Sequence, residues 1–182
     1  GNTYAYLKMK TLNDYVVVEG DFYTKSDHNH SGDLTNGVLE IKGNFEQANG
    51  SSSNFYANGN HKVILSGEKK QTITFASPNF SQINNLELKN TSTEGIVFAT
   101  GAKIAGEIIQ NGVPIQYEKY NSANWILQSD VEITGDLNLT SGEINLNGNS
   151  LTINGNLNHK SGTINVNGGK LIVKGNYRIE NL

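Results

Sequence analysis

VEITGDLNLTSGEINLNGNS (residues 131–150) is followed without a gap by LTINGNLNHKSGTINVNGGK (residues 151–170). Aligned at a period of 20 residues, the two stretches place apolar residues over apolar residues and Gly over Gly. Self-similarity at a fixed period of about 20 to 50 residues is typical of chains that stack one supersecondary unit on the next. The aligned apolar pairs are Val131 with Leu151, Ile133 with Ile153, Leu137 with Leu157, Ile144 with Ile164 and Leu146 with Val166.

A seven-residue motif begins each of these stretches and recurs along the chain. Its seven positions hold, in order, an apolar residue, any residue, an apolar residue, any residue, Gly, either Asp or Asn, and a large apolar residue. Its five copies are VVVEGDF (16–22), LEIKGNF (39–45), VEITGDL (131–137), LTINGNL (151–157) and LIVKGNY (171–177). We call this the repeat motif.

Weaker versions of the repeat motif fill the gaps between the five copies. Taking the first apolar residue of each version as a marker, the steps between neighbouring markers run from 20 to 24 residues. The version at Ile108 is the most divergent, because GEIIQNG does not reproduce the motif. The eight markers are Val16, Leu39, Val63, Leu86, Ile108, Val131, Leu151 and Leu171.

Apolar and polar residues alternate within each repeat, which indicates strands with one buried face rather than helices. Short SG, NG and NGN segments separate the strands and suit tight corners. A meander of antiparallel hairpins could use the same turns, but the identity of residues at a fixed period favours parallel stacking about 4.8 Å apart. The sequence therefore predicts an all-β fold over residues 1–182: one right-handed parallel β-helix, or β-solenoid, of about eight rungs, with the hand expected from the rule for parallel crossovers.

The composition argues against several classes of function. Charged residues make up 17% of the chain, and the net charge is −3, so no basic surface for nucleic acid is expected. The absence of Cys excludes disulfides, thiolate metal sites and a catalytic thiol. No run of about 18 apolar residues occurs, so we expect no membrane insertion. The chain opens with Gly1 rather than Met and has no signal peptide, which suggests a processed product or an excised piece.

The two ends of the sequence hold complementary parts of a rung. Tyr6, Lys8 and Lys10 alternate with Leu7 and Met9, which predicts a strand equivalent to the one that contains Ile144 and Leu146. The C-terminus stops just after a repeat motif. Neither end shows the polar or helical cap with which solenoids usually close. We therefore expect this chain to be one unit of a longer array, with other copies or neighbouring modules as head-to-tail partners.

Several stretches resemble modules repeated in very large surface proteins of Gram-positive bacteria: DYVVVEGDF, SGDLTNGVLEIKGNF, FYANGNHKVILSGEKKQTITF, FSQINNLELKNTSTEGIVF and LTINGNLNHKSGTINVNGGKLIVKGNYRI. The resemblance covers nearly the whole chain. It implies a β-solenoid in an extracellular stalk or filament, at the cell surface or secreted, with an adhesin-like role. It brings no catalytic or cofactor-binding residue, so the expected function is structural and non-enzymatic, with no cofactor.

The loop KSDHNHSGD (25–33) is the strongest candidate for metal chemistry. Two His one residue apart with flanking carboxylates could bind Zn, Cu or Ni if the loop folded back. On an extended segment, His28 and His30 point the same way and Asp27 does not, and a solvated loop is the favoured interpretation. The weak metal candidates are Asp27, His28, His30 and Asp33.

Aromatic residues and carboxylates keep two alternatives open. Tyr117, Tyr120 and Trp125 are candidates for glycan contact in a carbohydrate-binding module, as exposed rings can stack on sugars; Tyr4, Tyr6, Tyr15 and Tyr23 form a second cluster. A polysaccharide lyase or hydrolase would need two carboxylates about 5 to 10 Å apart. The available acids are Asp14, Asp21, Asp33, Asp130, Asp136, Glu19, Glu40, Glu87, Glu132 and Glu143.

Asn residues at the corners suggest a structural role. Asn145 recurs as Asn165 and Asn147 as Asn167, so we expect amide side chains to stack into hydrogen-bonded ladders along the axis. Asp21 and Asp136 share a corner position with Asn residues in other copies of the repeat motif, which indicates turn chemistry rather than catalysis.

Overall fold

The structure, a computed structural model, describes residues 3–181 and contains nineteen strands and no helix in that range. The strands are β1 (Tyr15–Val18), β2 (Phe22–Thr24), β3 (Val38–Ile41), β4 (Phe45–Gln47), β5 (Lys62–Leu65), β6 (Gln71–Phe75), β7 (Asn85–Leu88), β8 (Ile96–Phe98), β9 (Ile108–Ile109), β10 (Ile115–Tyr117), β11 (Asn124–Ile126), β12 (Val131–Ile133), β13 (Leu137–Leu139), β14 (Glu143–Asn145), β15 (Ser150–Ile153), β16 (Leu157–His159), β17 (Thr163–Asn165), β18 (Lys170–Val173) and β19 (Tyr177–Ile179).

The strands pair in parallel between successive turns of the chain. Two five-stranded sheets run in the orders β1-β3-β5-β7-β9 and β2-β4-β6-β8-β10. Three three-stranded sheets follow, in the orders β11-β14-β17, β12-β15-β18 and β13-β16-β19. This arrangement confirms the predicted right-handed parallel β-helix of about eight turns.

The residue columns expected from the repeat match the observed register. Val16, Leu39, Val63, Leu86 and Ile108 are successive partners in the first sheet. In the later turns, the aligned columns of the 20-residue repeat are paired in the same way. The divergent repeat at Ile108 forms the shortest strand, two residues long, and still pairs with β7.

The core is a single layer of inward side chains enclosed by the coil. Leu39, Val63 and Leu86, which are partners in the register, are fully buried. The ring of Phe45 stacks on that of its register partner Phe22 and on that of Phe75, which lies two residues beyond its other partner Ile73, with centroids 5.4 Å apart in both pairs. Inward side chains therefore pack on side chains of the next turn at the same position or two residues away. This packing explains why the apolar positions repeat in size as well as in polarity.

The Gly and Asp or Asn of the repeat motif form one corner in each turn that contains the motif. The Oδ1 atom of Asp136 accepts a hydrogen bond from the backbone N–H of Asn156 (2.7 Å), and Oδ1 of Asn156 accepts one from Asn176 (2.8 Å). Asp21 and Asn44 bind the next turn in the same way. The side chain at this position thus continues the hydrogen-bonded ladder around the corner, where no strand is present.

The same corner explains the Gly of the motif. The space that a Cβ would need at Gly155 is taken by Oδ1 of Asp136 and by the carbonyl group of Gly135. Gly43 and Gly175 meet the equivalent atoms of the turns before them. Gly is needed because the Asp or Asn of the preceding turn lies directly against the backbone.

The predicted ladders of Asn side chains are wrong for the residue pairs named. Within the described residues, no side-chain hydrogen bond joins Asn147 to Asn167 or Asn145 to Asn165. Asn147 and Asn167 occupy the left-handed region at corners (φ 49° and 42°), which directs their amides to other acceptors. Asn147 and Asn167 donate to the Leu127 carbonyl and to Oδ1 of Asn145, both at 3.3 Å. A direct amide contact between equivalent positions occurs instead from Asn158 to Asn138, at 3.0 Å.

Side chains replace backbone pairing where the five-stranded sheets give way to the three-stranded ones. The amide of Gln110 donates to the carbonyl oxygen of Glu132 (2.9 Å) and accepts from its N–H (3.1 Å). The hydroxyl of Ser129 binds both the N–H and the carbonyl of Ile108, each at 3.1 Å. These contacts join the two parts of the coil across a turn where the strands themselves do not pair.

We expect Gly155→Ala to lower the free energy of unfolding by about 1–3 kcal/mol, because the added Cβ overlaps the carboxylate of Asp136 and forces the corner apart. Gly20→Ala is the matched control, since Gly20 has the same place in the motif but no atom from elsewhere in the described chain lies within 4 Å of its Cβ position. Urea unfolding followed by circular dichroism measures both. Equal effects of the two substitutions would contradict the steric role of the corner.

Candidate functional site

The C-terminal end of the coil exposes positions that are buried one turn earlier. Leu157 is fully buried, whereas Tyr177, its partner in the next turn, is 39% exposed. Leu171 and Val173 are half-buried, and Ile179 is 68% exposed. In the part of the chain that the structure describes, β17, β18 and β19 each pair on one side only. This end therefore presents apolar side chains together with unpaired backbone groups.

The N-terminal end is open in the same way. β1 and β2 are edge strands of their sheets, and a cavity of about 440 Å³ leads into the coil beside them. We call this cavity the N-terminal opening. Its lining includes Ala5, Tyr6, Leu7, Phe22, Leu34 and Phe55.

The predicted strand at residues 6–10 is only partly correct. Burial alternates as expected, with Met9 buried, Leu7 half-buried and Lys8 exposed. However, the segment forms a single parallel bridge, from Met9 to Leu34, instead of a strand. The segment lies on a face of the coil that has no continuous strands in the first half of the described chain. Successive turns are joined on that face only by isolated bridges.

Three of the four metal candidates in the 25–33 loop lie together. Donor atoms of His28, His30 and Asp33 all lie within 4.8 Å of one another. His30 and Asp33 are buried, at 5% and 7% exposure, and His28 is half-buried. Asp27 is exposed and lies outside this group, which we call the histidine cluster. The favoured interpretation of a solvated loop is therefore wrong for His30 and Asp33.

Backbone contacts to the neighbouring turns hold the histidine cluster in place. The N–H of His30 donates to the carbonyl of Ser53 (3.1 Å) in the next turn, and the N–H of Met9 donates to the carbonyl of Asp33 (2.8 Å). Within the loop, Ser26 Oγ accepts from the N–H of His28 (3.0 Å). The 25–33 loop is therefore hydrogen-bonded to the turns before and after it, which its polar sequence does not indicate.

Charge and burial act in opposite directions within the histidine cluster. Nε2 of His28 lies 2.7 Å from Oδ2 of Asp33, and Nζ of Lys10 lies 3.5 Å from Oδ1. Burial raises the pKa of Asp33, but hydrogen bonds from His28 and Lys10 outweigh it, and the net shift is downward. Burial and the neighbouring His28 lower the pKa of His30 despite the charge of Asp33. At neutral pH the cluster therefore combines a carboxylate with a neutral imidazole at His30.

The three aromatic candidates for glycan contact are buried, so their rings are not available to stack on a sugar. Tyr117, Tyr120 and Trp125 are 5%, 0% and 2% exposed. Tyr117 stacks on Phe98 with ring centroids 4.5 Å apart. The hydroxyl of Tyr120 binds the carbonyl oxygens of Ala123 and Glu143. The irregular sequence around these rings hid the alternation that places them inside the coil.

Carboxylates proposed for a glycosidase pair make contacts within the scaffold. Oδ2 of Asp14 accepts backbone N–H groups of residues 10 and 11, and Asp130 accepts that of Ser150 (2.8 Å). Glu87 pairs with Lys62 at 2.9 Å, and Glu40 accepts the hydroxyl of Tyr15 at 3.0 Å. Asp21 and Asp136 bind the next turn at the motif corner, which confirms their predicted turn role. Most of the acids available to a polysaccharide lyase or hydrolase therefore make contacts that stabilise the scaffold.

His61 is a lone histidine in the sequence, with no Ser or Asp at a spacing that indicates a nucleophilic triad, and the structure places it in the core. It is fully buried, its ring lies 6.2 Å from that of Phe55, and neither ring nitrogen has a hydrogen-bond partner in the described chain. Burial lowers its pKa from 6.5 to about 4. The ring is therefore neutral in the folded protein at pH values where an unfolded His is protonated.

Comparison with protein-family models, with curated proteins and with solved structures finds no match to this chain. Among residues 3–181 no helix is long and apolar enough to cross a membrane.

We expect acid to destabilise the fold through His61. The unfolded chain binds a proton at His61 below pH 6.5 and the folded chain only near pH 4, so stability falls as the pH decreases through this window. The full loss by pH 4 is about 3 kcal/mol. His61→Leu should reduce the difference in unfolding free energy between pH 7.5 and pH 4, measured by urea titration. An unchanged difference would show that His61 does not titrate in this way.

Proposed function

We propose that this chain is a structural, non-enzymatic segment of an extracellular bacterial surface protein or fibre, and that it stacks end to end as a rigid stalk or filament. The observation that carries the proposal is Gly20. At Gly43, Gly155 and Gly175 the preceding turn fills the place of a side chain, and at Gly135 that place is open but φ is +79°, which favours Gly; at Gly20 the place is open and φ is not positive. Nothing within the described chain requires Gly at this position.

A turn of another copy stacked against the N-terminal end would fill the space beside Gly20 and so explain why Gly is present there. Gly20 lies two residues after Val18 in the repeat motif, as Gly175 lies two residues after Val173. Asn176 has the same corner position as Asp136, whose Oδ1 lies against Gly155 of the next turn. When β18 of one copy pairs with β1 of the next, Leu171 and Val173 meet Val16 and Val18. Asn176 Oδ1 then reaches the space beside Gly20.

The exposed side chains at both ends fit such a contact. The C-terminal surface contains Leu171, Val173 and Tyr177, and the N-terminal surface contains half-buried Val16, Val18 and Phe22. These residues belong to the same columns of the repeat motif, so stacking would bury apolar groups against their own equivalents. Parallel pairing would also satisfy the backbone groups at the edges, which are otherwise available for association.

Support for the extracellular location comes from the sequence. The resemblance to modules of Gram-positive surface proteins concerns chains that extend away from a cell, and an axial β-solenoid suits that task. An adhesive role belongs to the same proposal. The carbohydrate-binding alternative now depends on Tyr6, Tyr15 and Tyr23, which are exposed by 56%, 55% and 56% near the N-terminal end.

Gly20→Ala provides the test because it separates association from folding. We expect the unmodified protein to form head-to-tail oligomers as its concentration rises, measured by light scattering and sedimentation velocity. The added methyl group of Gly20→Ala should weaken this association by about 5-fold to 150-fold, as overlap at a packed contact costs about 1–3 kcal/mol. The melting temperature of the dilute monomer should not change.

A second variant tests the other end of the proposed contact. Val173→Lys places a charge in the inward column of β18, and Ile172→Lys places it on the outer side of the same strand as a matched control. Association should be lost in the first variant and kept in the second. A strictly monomeric parent protein at high concentration would contradict the proposal, as would oligomers unaffected by Gly20→Ala.

A further inference from the structure

The histidine cluster presents the donor set of a transition-metal site. Two imidazoles and one carboxylate are ligands that Zn²⁺ and related ions prefer. Their donor atoms lie within 4.8 Å of one another, on a loop fixed by backbone hydrogen bonds to the turns before and after it. A tetrahedral ion with bonds of about 2.1 Å separates neighbouring donors by about 3.4 Å. Small side-chain movements therefore suffice to convert the observed cluster into a coordination shell.

His30 supplies an independent indication that the cluster is built to hold something. Its ring is 95% buried, and Nδ1 has no hydrogen-bond partner among the described residues. An unpaired polar atom in a buried position costs free energy, so it calls for a ligand or another partner. Asp33 adds a carboxylate oxygen to the cluster, and the ring of Tyr6 packs on His28 with centroids 4.1 Å apart.

We propose that His28, His30 and Asp33 bind one Zn²⁺-type divalent ion. Nε2 of His28 loses the proton of its 2.7 Å hydrogen bond to Oδ2 of Asp33, either to solvent or to its own Nδ1, and both atoms then bind the ion. Water completes the coordination, which leaves the site open to solvent on the side of half-buried His28. The ion shares the carboxylate of Asp33 with the ammonium group of Lys10, which lies 3.5 Å from Oδ1.

Metal binding is linked to the segment that borders the N-terminal opening. The N–H of Leu7 donates to Nε2 of His30 at 3.1 Å, which places the proton of the neutral ring on Nδ1. Coordination through Nε2 uses the lone pair that accepts this bond. Coordination through Nδ1 moves the proton to Nε2, which then cannot accept. Either way the ion replaces the contact between Leu7 and His30, so binding releases the backbone of Leu7.

The inference does not depend on end-to-end stacking, because all the residues involved lie within one copy. Its experiment is a titration of the untagged protein with zinc chloride at about pH 7.5, because metal ligands must be deprotonated and binding is weaker in acid. Calorimetry should show one ion per chain for the unmodified protein and for Asp27→Asn, the matched control with an exposed carboxylate on the same loop. Asp33→Asn and His28→Gln should each weaken binding by at least about tenfold. Calcium chloride should give no binding, because the site offers two nitrogen ligands.

Amide NMR spectra give a second measurement. Zinc should shift the N–H signal of Leu7 and speed its exchange with solvent, while amides in the later turns stay unchanged. Circular dichroism of each variant without metal checks that it is folded. Absence of binding to the unmodified protein, or equal binding by Asp27→Asn, Asp33→Asn and His28→Gln, would overturn the site. Bound zinc with an unchanged Leu7 signal would overturn the link to the N-terminal segment.

Discussion

The contact between the Asp or Asn side chain of one repeat motif and the Gly of the next, seen at Gly43, Gly155 and Gly175, determines how this chain continues. The strands need no such device, because parallel backbone pairing holds them together, but a corner has no strand partner. The Oδ1 atom supplies the missing acceptor, as between Asp136 and Asn156 at 2.7 Å. Because that atom lies where a Cβ would stand at residue 155, the next turn must carry Gly. The Gly and the Asp or Asn of the repeat motif are therefore explained by one interaction.

Much of the fold could be predicted because the same side of the coil recurs at nearly constant spacing. The columns beginning at Val16 and Val131 pair as their alignment predicts, and even the divergent repeat at Ile108 keeps its place. The sequence pattern failed where local structure is irregular. Tyr117, Tyr120 and Trp125 lie where two sets of sheets meet, and no period there indicates which side chains point inward. The Asn ladders failed for a related reason, since left-handed corners at Asn147 and Asn167 turn the amides aside.

Candidate sites were harder to predict than the fold because they depend on contacts between turns. The types of residue in the 25–33 loop suggested metal ligands, but only the neighbouring turns bury His30 and bring Asp33 to it. Gly20 is the opposite case, since its signal was already in the sequence as a member of the repeat motif. The space beside Gly20 is empty, whereas Gly43, Gly155 and Gly175 lie against the preceding turn and Gly135, which also has empty space beside it, has a positive φ of 79°. This difference is the reason for proposing an axial partner at the N-terminal end.

Disulfide trapping between ends tests most directly whether the repeat motif directs one copy to continue another. The chain has no Cys, so a Tyr15→Cys, Lys170→Cys variant contains only the two thiols that the proposed pairing of β1 with β18 brings together. Neighbouring Cα atoms in paired strands are about 4.8 Å apart, which lies within the range for a disulfide. Within one copy these residues lie in the first and last turns and cannot join. Mild oxidation of the double variant at high concentration should yield a series of covalent oligomers. Tyr15→Cys alone has one thiol in each chain, so it can form nothing larger than a dimer. Monomers only, or dimers only from the double variant, would contradict end-to-end continuation of the coil.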